Sequence, residues 1–206
     1  MIEILFEDDQ LLVVNKPPGV LSVPGRGPDK QDSVQTRCAS LYPQALVIHR
    51  LDCATSGVML FAKTKAAQSE LSRQFRDRET EKEYHAVTYG DCPAAEGEID
   101  FPLITDWPNR PRQKICYQTG KPSLTRYQLL KHSTSGNCLR LTPVTGRSHQ
   151  LRVHMMAIGM PIVGDTLYAP AHIAQMSPRL MLHAYRLSFT HPRQGQRIRM
   201  EAPLPF

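Results

Sequence analysis

The sequence lacks any apolar stretch long enough to cross a membrane. The longest candidate, Met155 to Gly164, is interrupted by Gly159 and Pro161. It falls short of the ~18 residues that a membrane-spanning helix needs. The amino terminus, MIEILFEDD, is acidic where a secretory signal peptide is basic. We therefore predict a soluble, cytoplasmic protein with no membrane contact.

Cofactor-binding and metal-binding patterns are also missing. The five cysteines are an odd number and contain no C-x-x-C pair, which favours a reducing compartment. His149 and His154 stand five residues apart, whereas two metal ligands on one helical face lie at i and i+4. Neither a G-x-G-x-x-G nor a G-x-x-x-x-G-K-[ST] loop occurs. We expect no metal ion and no nucleotide cofactor.

Acidic residues are absent from the middle of the chain, between Trp107 and Gly164. This stretch has a net charge of +9, more than the +6 of the whole chain. Such a stretch fits a polyphosphate partner, because each phosphate contact releases a condensed counterion. The alternative is a cationic surface without a partner. Three aromatic residues interleave the basic ones and suit either base stacking or, more simply for each one alone, the core: Trp107, Tyr117 and Tyr127.

What is present indicates an ordinary globular chain of 206 residues with many short elements. Seventeen prolines amount to about 8% of the chain against a usual ~5%. Strands outnumber helices, which predicts an α+β fold. The predicted strands are Ile2–Phe6, Leu11–Val14, Val58–Ala62, Tyr84–Tyr89, Thr125–Leu130, Cys138–Leu141, Leu180–Leu182, Tyr185–Thr190 and Ile198–Glu201.

Three helices are predicted from capping residues and apolar spacing. One starts after Asp32 and ends near Leu41, one runs from Lys65 to about Asp77 after a Thr64 cap, and one runs from Ser148 to about Ile158. The remaining segments are predicted to be connections. These are the Gly/Pro-rich loop at 20–30, the Pro-rich stretch at 91–122 and a turn over Ser133–Asn137.

The densest cluster of polar residues is His49–Gly57, HRLDCATSG, directly before the buried-type strand Val58–Ala62. Asp52 there suits chemistry, because catalytic groups tend to sit on loops that a sheet positions. The simpler alternative is that Asp52 only caps the Thr-Ser-Gly turn. Cys53 is expected to be a buried structural residue and not a nucleophile. Ser56 does not stand in a G-x-S-x-G elbow.

The HRLDCATSG segment resembles the H-R-L-D-x-x-T-S-G signature of the RluA-type pseudouridine synthases. Further motifs of that family occur in the family's order, and the resemblance covers about residues 3 to 203. DWPNRPRQK and the SVPG loop are similar to one member that modifies both 23S rRNA and a tRNA anticodon loop. The matching segments are Asn15-Lys16-Pro17, Lys82-Glu83-Tyr84, Thr145 to His154, Gly164-Asp165 and Leu182-His183-Ala184.

The resemblance implies a role for each matching residue. Asp52 corresponds to the catalytic carboxylate and Tyr84 to a tyrosine that stacks on the target base. Arg152 corresponds to a basic residue paired with that carboxylate, and Arg50 to an arginine that fills the space of a flipped nucleotide. Further RNA contacts are expected from five residues in the basic stretch and the later motif: Arg110, Arg112, Lys114, Arg147 and His149.

The fold implied is one catalytic domain over 1–206, with a mixed, mostly antiparallel sheet, flanking helices and a central RNA-binding cleft, without an N-terminal S4-type domain. The partners implied are tRNA and 23S rRNA stem-loops, and the protein is expected to be a monomer. A non-catalytic RNA-binding protein on the same scaffold would lose Asp52, Tyr84 or Arg152, and all three are present. A base deaminase would need H-x-E and P-C-x-x-C, and neither occurs.

Overall fold

The computed structural model describes residues 2–133 and 136–206. These residues form two compact units. The first consists of the described residues of Met1–Lys82 together with His183–Pro205, and the second of Glu83–Leu182 with Phe206. That the chain is one catalytic domain stays a prediction. Among the described residues, no helix has both the length and the apolarity to span a membrane.

Twelve strands and four helices make up the described chain. The strands are β1 (Glu3–Glu7), β2 (Leu11–Lys16), β3 (Leu46–Val47), β4 (Ser56–Ala62), β5 (Glu81–Thr88), β6 (Glu96–Ile99), β7 (Leu103–Thr105), β8 (Gln113–Ile115), β9 (Thr125–Ser133), β10 (Gly136–Pro143), β11 (Leu182–Thr190) and β12 (Arg197–Glu201). The helices are α1 (Val34–Ala39), α2 (Lys65–Arg76), α3 (Gln150–Ala157) and α4 (Ala171–Ala174). Short 3-10 turns cover Pro28–Lys30 and Trp107–Asn109.

The sheet of the first unit is built around β4. Strand β2 pairs with β1 on one side and β4 on the other, both antiparallel. β3 adds antiparallel to β4, β11 adds parallel to it, and β12 pairs antiparallel with β11. All seven residues of β4 are buried, so both of its faces are covered, which explains its unbroken apolar sequence.

Alternate residues of β2 and β4 enter two separate cores, one on each face of the sheet. One core receives side chains from α2 and β11, and the other receives side chains from α1. The first core includes Leu11, Val13, Val58, Leu60, Leu71 and Phe189. The second includes Leu12, Val14, Val34, Cys38, Met59 and Phe61.

The helix caps confirm one prediction and correct another. Thr64 caps α2 by accepting a hydrogen bond from the Ala67 amide at 3.1 Å, as predicted. Asp32 does not cap α1, because the Ser33 hydroxyl accepts from the Thr36 amide and forms a capping box. The Asp32 carboxylate instead lies 2.6 Å from the guanidinium of Arg37.

The second unit contains a sheet in the order β5-β10-β9-β6, with antiparallel pairing throughout, and a separate β7-β8 hairpin. The prediction that residues 91–122 form a loop is therefore wrong, because this segment contains β6, β7 and β8. These strands are three or four residues long, too short for an alternating pattern to be seen in the sequence. The turn predicted at Ser133–Asn137 includes residues 134 and 135, which lie outside the described residues.

Two more elements differ from prediction. Helix α3 begins at Gln150, because His149 adopts a left-handed backbone with φ 53°. Strand β11 runs without a break from Leu182 to Thr190, where two strands were predicted, while β12 matches its predicted position. Strand pairing is mostly antiparallel and helices are few, so the predicted α+β class is confirmed.

Gly57 allows β4 and β11 to approach closely, and substitution there tests this contact. Its φ is +116°, and an added Cβ would lie 2.2 Å from the Ala184 carbonyl oxygen. We expect Gly57→Ala to reduce the free energy of unfolding by on the order of 3 kcal/mol in chemical denaturation, since strain and overpacking add. Gly19→Ala is the control, because Gly19 has φ +78° but nothing within 4 Å. An equal loss in both variants would contradict the close-approach explanation.

Candidate active site

Asp52 lies in the loop between β3 and β4, immediately before the buried strand. Its main-chain carbonyl accepts a hydrogen bond from the Thr55 amide at 3.1 Å. The turn over Asp52 to Thr55 is thus closed by a main-chain hydrogen bond. The side chain of Asp52 is half-buried, and Thr55 is buried.

A buried lysine holds the segment after Asp52. Lys16, at the end of β2, is fully buried, and its Nζ donates to the carbonyl oxygens of Pro17 at 3.0 Å, Cys53 at 2.8 Å and Thr55 at 2.7 Å. The Gly19 amide donates to the same Cys53 carbonyl at 2.9 Å. A buried ammonium is costly unless it is hydrogen-bonded, so this position requires the loop to present its carbonyls to Lys16.

The residue before Asp52 is held by the Gly/Pro-rich loop. The Ser22 hydroxyl donates to the Leu51 carbonyl at 2.7 Å and accepts from the Leu51 amide at 3.0 Å. Both main-chain groups of Leu51 are therefore satisfied by one buried side chain. This fixes the backbone on the amino-terminal side of Asp52.

His49 attaches the start of the loop to β4. Its Nε2 accepts a hydrogen bond from the Leu60 amide at 3.0 Å, and its ring stacks on Phe75 with 4.7 Å between centroids. Burial, together with the nearby Lys82 ammonium, lowers the pKa of His49 to about 4. The imidazole is thus neutral near pH 7, as an acceptor must be.

Within this loop Arg50 and Cys53 are exposed. The expectation that Cys53 is buried is wrong, because Lys16 and Gly19 bind only its main chain. All five cysteines are free thiols. The first unit thus combines Arg50 and Asp52 on one loop whose backbone is anchored on both sides of the carboxylate.

Arg152, on α3 in the second unit, forms a buried ion pair that was not predicted from the sequence. Its Nε and a terminal guanidinium nitrogen donate to the two carboxylate oxygens of Asp165 at 2.8 and 2.6 Å. The two side chains are 4% and 1% exposed. Asp165 also accepts from the amides of Leu167 and Tyr168. Pairing of Arg152 with Asp52 stays a prediction.

Tyr168, which was not predicted either, connects several residues near α3. Its hydroxyl lies 2.6 Å from Nδ1 of His149 and accepts from the Gln113 amide at 2.8 Å. The guanidinium of Arg152 lies 5.1 Å from the Tyr168 ring centroid. The only signal in the sequence was the Gly164-Asp165 motif nearby. Tyr84 is half-buried on β5 and pairs in register with Leu141 of β10.

The predicted RNA-binding cations of the second unit are exposed: Arg110, Arg112, Lys114 and Arg147. Lys114 lies 3.5 Å from the Asp106 carboxylate, and Arg147 donates to the Pro122 carbonyl at 3.3 Å.

Of the three aromatic residues in the basic stretch, Tyr127 is buried at 7% exposure. The alternative that Trp107 and Tyr117 are core residues is wrong, because their side chains are 66% and 72% exposed. Within the described part of the chain, no group of three or more His, Cys, Asp or Glu is placed to hold a metal ion.

Comparison with known proteins finds the family that the sequence motifs resemble. The family model described as RNA pseudouridylate synthase matches residues 10–157. The dual-specificity RNA pseudouridine synthase RluA of Escherichia coli (strain K12) is 54% identical over 204 residues, covering 98% of this chain and 93% of that protein. RluA of Yersinia pestis is 54% identical over 193 residues, covering 93% of this chain and 94% of that protein.

Solved structures agree with the sequence relatives. Human RNA Pseudouridylate Synthase Domain Containing 1 superposes with a TM-score of 0.86 at 30% identity, over 100% of this chain and 84% of that chain. Human RNA Pseudouridylate Synthase Domain Containing 4 has a TM-score of 0.80 at 24% identity, over 98% and 88% of the two chains. At 24% identity, the similarity to this second structure shows a shared fold and nothing about activity.

The lysine anchor gives a stability prediction. Lys16→Met keeps an unbranched side chain, one atom shorter, but removes the ammonium that donates to the carbonyls of Pro17, Cys53 and Thr55. We expect a loss of about 3 kcal/mol in the free energy of unfolding, measured by urea denaturation. Lys65→Met is the control, since Lys65 is an exposed lysine at the start of α2 in the same unit and its loss should cost less than ~1 kcal/mol. Equal losses would show that Lys16 does not anchor the loop.

The buried ion pair gives a second prediction. Asp165→Asn should cost roughly 3–5 kcal/mol in thermal or chemical unfolding, because it removes the carboxylate charge that accepts two hydrogen bonds from the buried Arg152 guanidinium. Glu98→Gln removes a comparable pair with Arg126, in which the arginine and glutamate side chains are 60% and 55% exposed, and should have little effect. If Asp165→Asn unfolds like the parent chain, the pair contributes no net stability.

Proposed function

The chain belongs to the RNA pseudouridylate synthase family, and from this we propose that Asp52 is the carboxylate with which it isomerises uridines in folded RNA. The activity itself follows from the family and the relatives: the protein is an RNA pseudouridine synthase. The observation that supports Asp52 most is the anchoring of its loop by Lys16, Ser22 and His49.

The reaction has simple chemical requirements. The bond from uracil N1 to ribose C1′ breaks, the base turns, and C5 bonds to C1′. C5 loses its proton and N1 gains one, so atoms and electrons balance without oxidant, reductant or water. A carboxylate whose backbone is fixed before the substrate arrives loses little entropy on reaching the reacting ribose or base. A backbone held by three separate side chains meets that need.

The neighbouring residues take the roles that the family motifs imply. Arg50 is exposed two positions before Asp52, which suits an arginine that enters the RNA stack when the uridine leaves it. Tyr84 would stack on the target base. Arg152 would face the catalytic carboxylate, as the family motif implies, and its pair with Asp165 fixes the guanidinium on α3.

The substrates we propose are the tRNA anticodon stem-loop and a 23S rRNA hairpin, because relatives that are 54% identical to this chain carry the name dual-specificity RNA pseudouridine synthase. Arg110, Arg112, Lys114, Arg147 and His149 would contact the RNA, the cations mainly through phosphates. We further propose that the protein acts in the cytoplasm as a monomer. Five free thiols agree with a reducing compartment.

The test is Asp52→Asn on an anticodon stem-loop labelled with tritium at uridine C5. Pseudouridine formation replaces that hydrogen, so tritium release measures turnover. We expect release to fall on the order of 1,000-fold or more, as for loss of a catalytic group that acts in one unit with others, while RNA binding and folding persist.

Asp29→Asn is the control, since Asp29 is exposed in the 3-10 turn at Pro28–Lys30, and it should release tritium like the parent chain. A mass measurement excludes deamidation of the introduced asparagine. A substantial rate in intact Asp52→Asn would refute the assignment of Asp52.

A further inference from the structure

The β7-β8 hairpin carries an exposed tryptophan at its tip. Trp107 is the single tryptophan of the chain, and 66% of its surface is exposed. Burying an indole stabilises a folded protein more than burying most side chains. Tryptophan is also enriched among the residues that contribute most to binding, so an exposed indole at a hairpin tip suits a contact with a ligand.

The tip is an ordered turn built from its own hydrogen bonds. The Asn109 amide donates to the Asp106 carbonyl at 3.0 Å, the Arg112 amide to the Asn109 carbonyl at 3.0 Å, and the Asp106 amide to the Arg112 carbonyl at 2.9 Å. The Asn109 side-chain amide donates to the Asp106 carboxylate at 2.8 Å. The turn thus holds Trp107 in a defined position.

One face of the indole is already occupied. The guanidinium of Arg110 lies 3.3 Å from the centroid of the Trp107 ring, a cation–π contact. With 66% of the residue still exposed, the indole keeps surface on which a flat ligand can stack. The Arg110 side chain also limits the rotation of the indole, so a ligand that stacks there meets a prepared surface.

The charge around Trp107 selects the kind of ligand. Residues 106–114 carry three basic side chains, Arg110, Arg112 and Lys114, and one acidic side chain, Asp106. Asp106 is itself close to Lys114, at 3.5 Å. A flat π surface beside an excess of cations fits a nucleobase with its phosphates better than an apolar protein surface.

We propose that Trp107, backed by Arg110, is a stacking platform for an unpaired base of the substrate RNA. This inference rests on the proposed function, because it takes folded RNA as the substrate. It adds a specific contact: a base outside the helical stack, distinct from the uridine that reacts at Asp52, binds to the exposed surface of the indole. An RNA without such a base lacks this contact.

Because Trp107 is the only tryptophan, its fluorescence reports the contact directly. The parent chain and the Asp52→Asn chain, which binds without turnover, are titrated with an anticodon stem-loop and with a blunt duplex of equal length. We expect strong quenching by the stem-loop and little by the duplex. Trp107→Ala should weaken stem-loop binding about 10-fold and Trp107→Phe less, in keeping with the usual contribution of one stacked base.

Leu130→Ala is the matched control, because Leu130 is an exposed apolar residue of β9 in the same unit and should bind like the parent chain. Unchanged fluorescence on stem-loop binding, or Trp107→Ala binding as tightly as the parent, overturns the platform. So does equal quenching by the duplex, since it contains no unpaired base.

Tritium release and Trp107 fluorescence together distinguish an error in the stacking platform from an error in the proposed function. If tritium release from the stem-loop is normal but Trp107 does not respond, only the platform is wrong. If the stem-loop neither binds nor releases tritium, the proposed substrate is wrong as well. If Trp107→Ala fails to fold, Trp107→Phe and the fluorescence of the parent chain still decide the question.

Discussion

The buried ammonium of Lys16 is the constraint on which the candidate active site depends. A cation without solvent must find hydrogen-bond acceptors, and two of those that Lys16 finds are carbonyls of the turn that begins at Asp52. The loop therefore cannot move away without leaving a charge buried in an apolar core. Ser22 and His49 add two further attachments to Leu51 and β4. The consequence is a carboxylate on a main chain that is fixed before substrate binds.

The second unit uses the same principle with a different pair. Arg152 and Asp165 are almost fully buried, and the bidentate geometry brings their opposite charges into direct contact. Asp165 also binds the amides of Leu167 and Tyr168, and Tyr168 in turn contacts His149 and Gln113. One buried carboxylate thus orders the residues around α3. In both units a buried charge fixes the residues around it through hydrogen bonds.

Much of this was accessible from the sequence. The buried strand β4, the Thr64-capped helix and the motif around Asp52 follow from local patterns that depend on near neighbours. Lys16 was recognised only as part of the Asn15-Lys16-Pro17 motif. Its burial was not predicted, because lysine is normally exposed and no neighbouring residue signals otherwise. Asp165 and Tyr168 act through contacts with residues distant in the chain. The short strands β6, β7 and β8 carry too few residues for a periodic signal. Cys53 shows that a residue whose carbonyl is held by hydrogen bonds can still expose its side chain.

The claim that the Asp52 loop is fixed before RNA binds is tested most directly by amide hydrogen exchange in the RNA-free protein. The diagnostic amides are those of Leu51, Thr55 and Leu60, which donate to Ser22, Asp52 and His49 respectively. The account predicts exchange as slow as in the core strands β2 and β4, with little further slowing when RNA is added. Fast exchange at Leu51 and Thr55 that becomes slow only with RNA would contradict it, because the loop would then be ordered by the substrate.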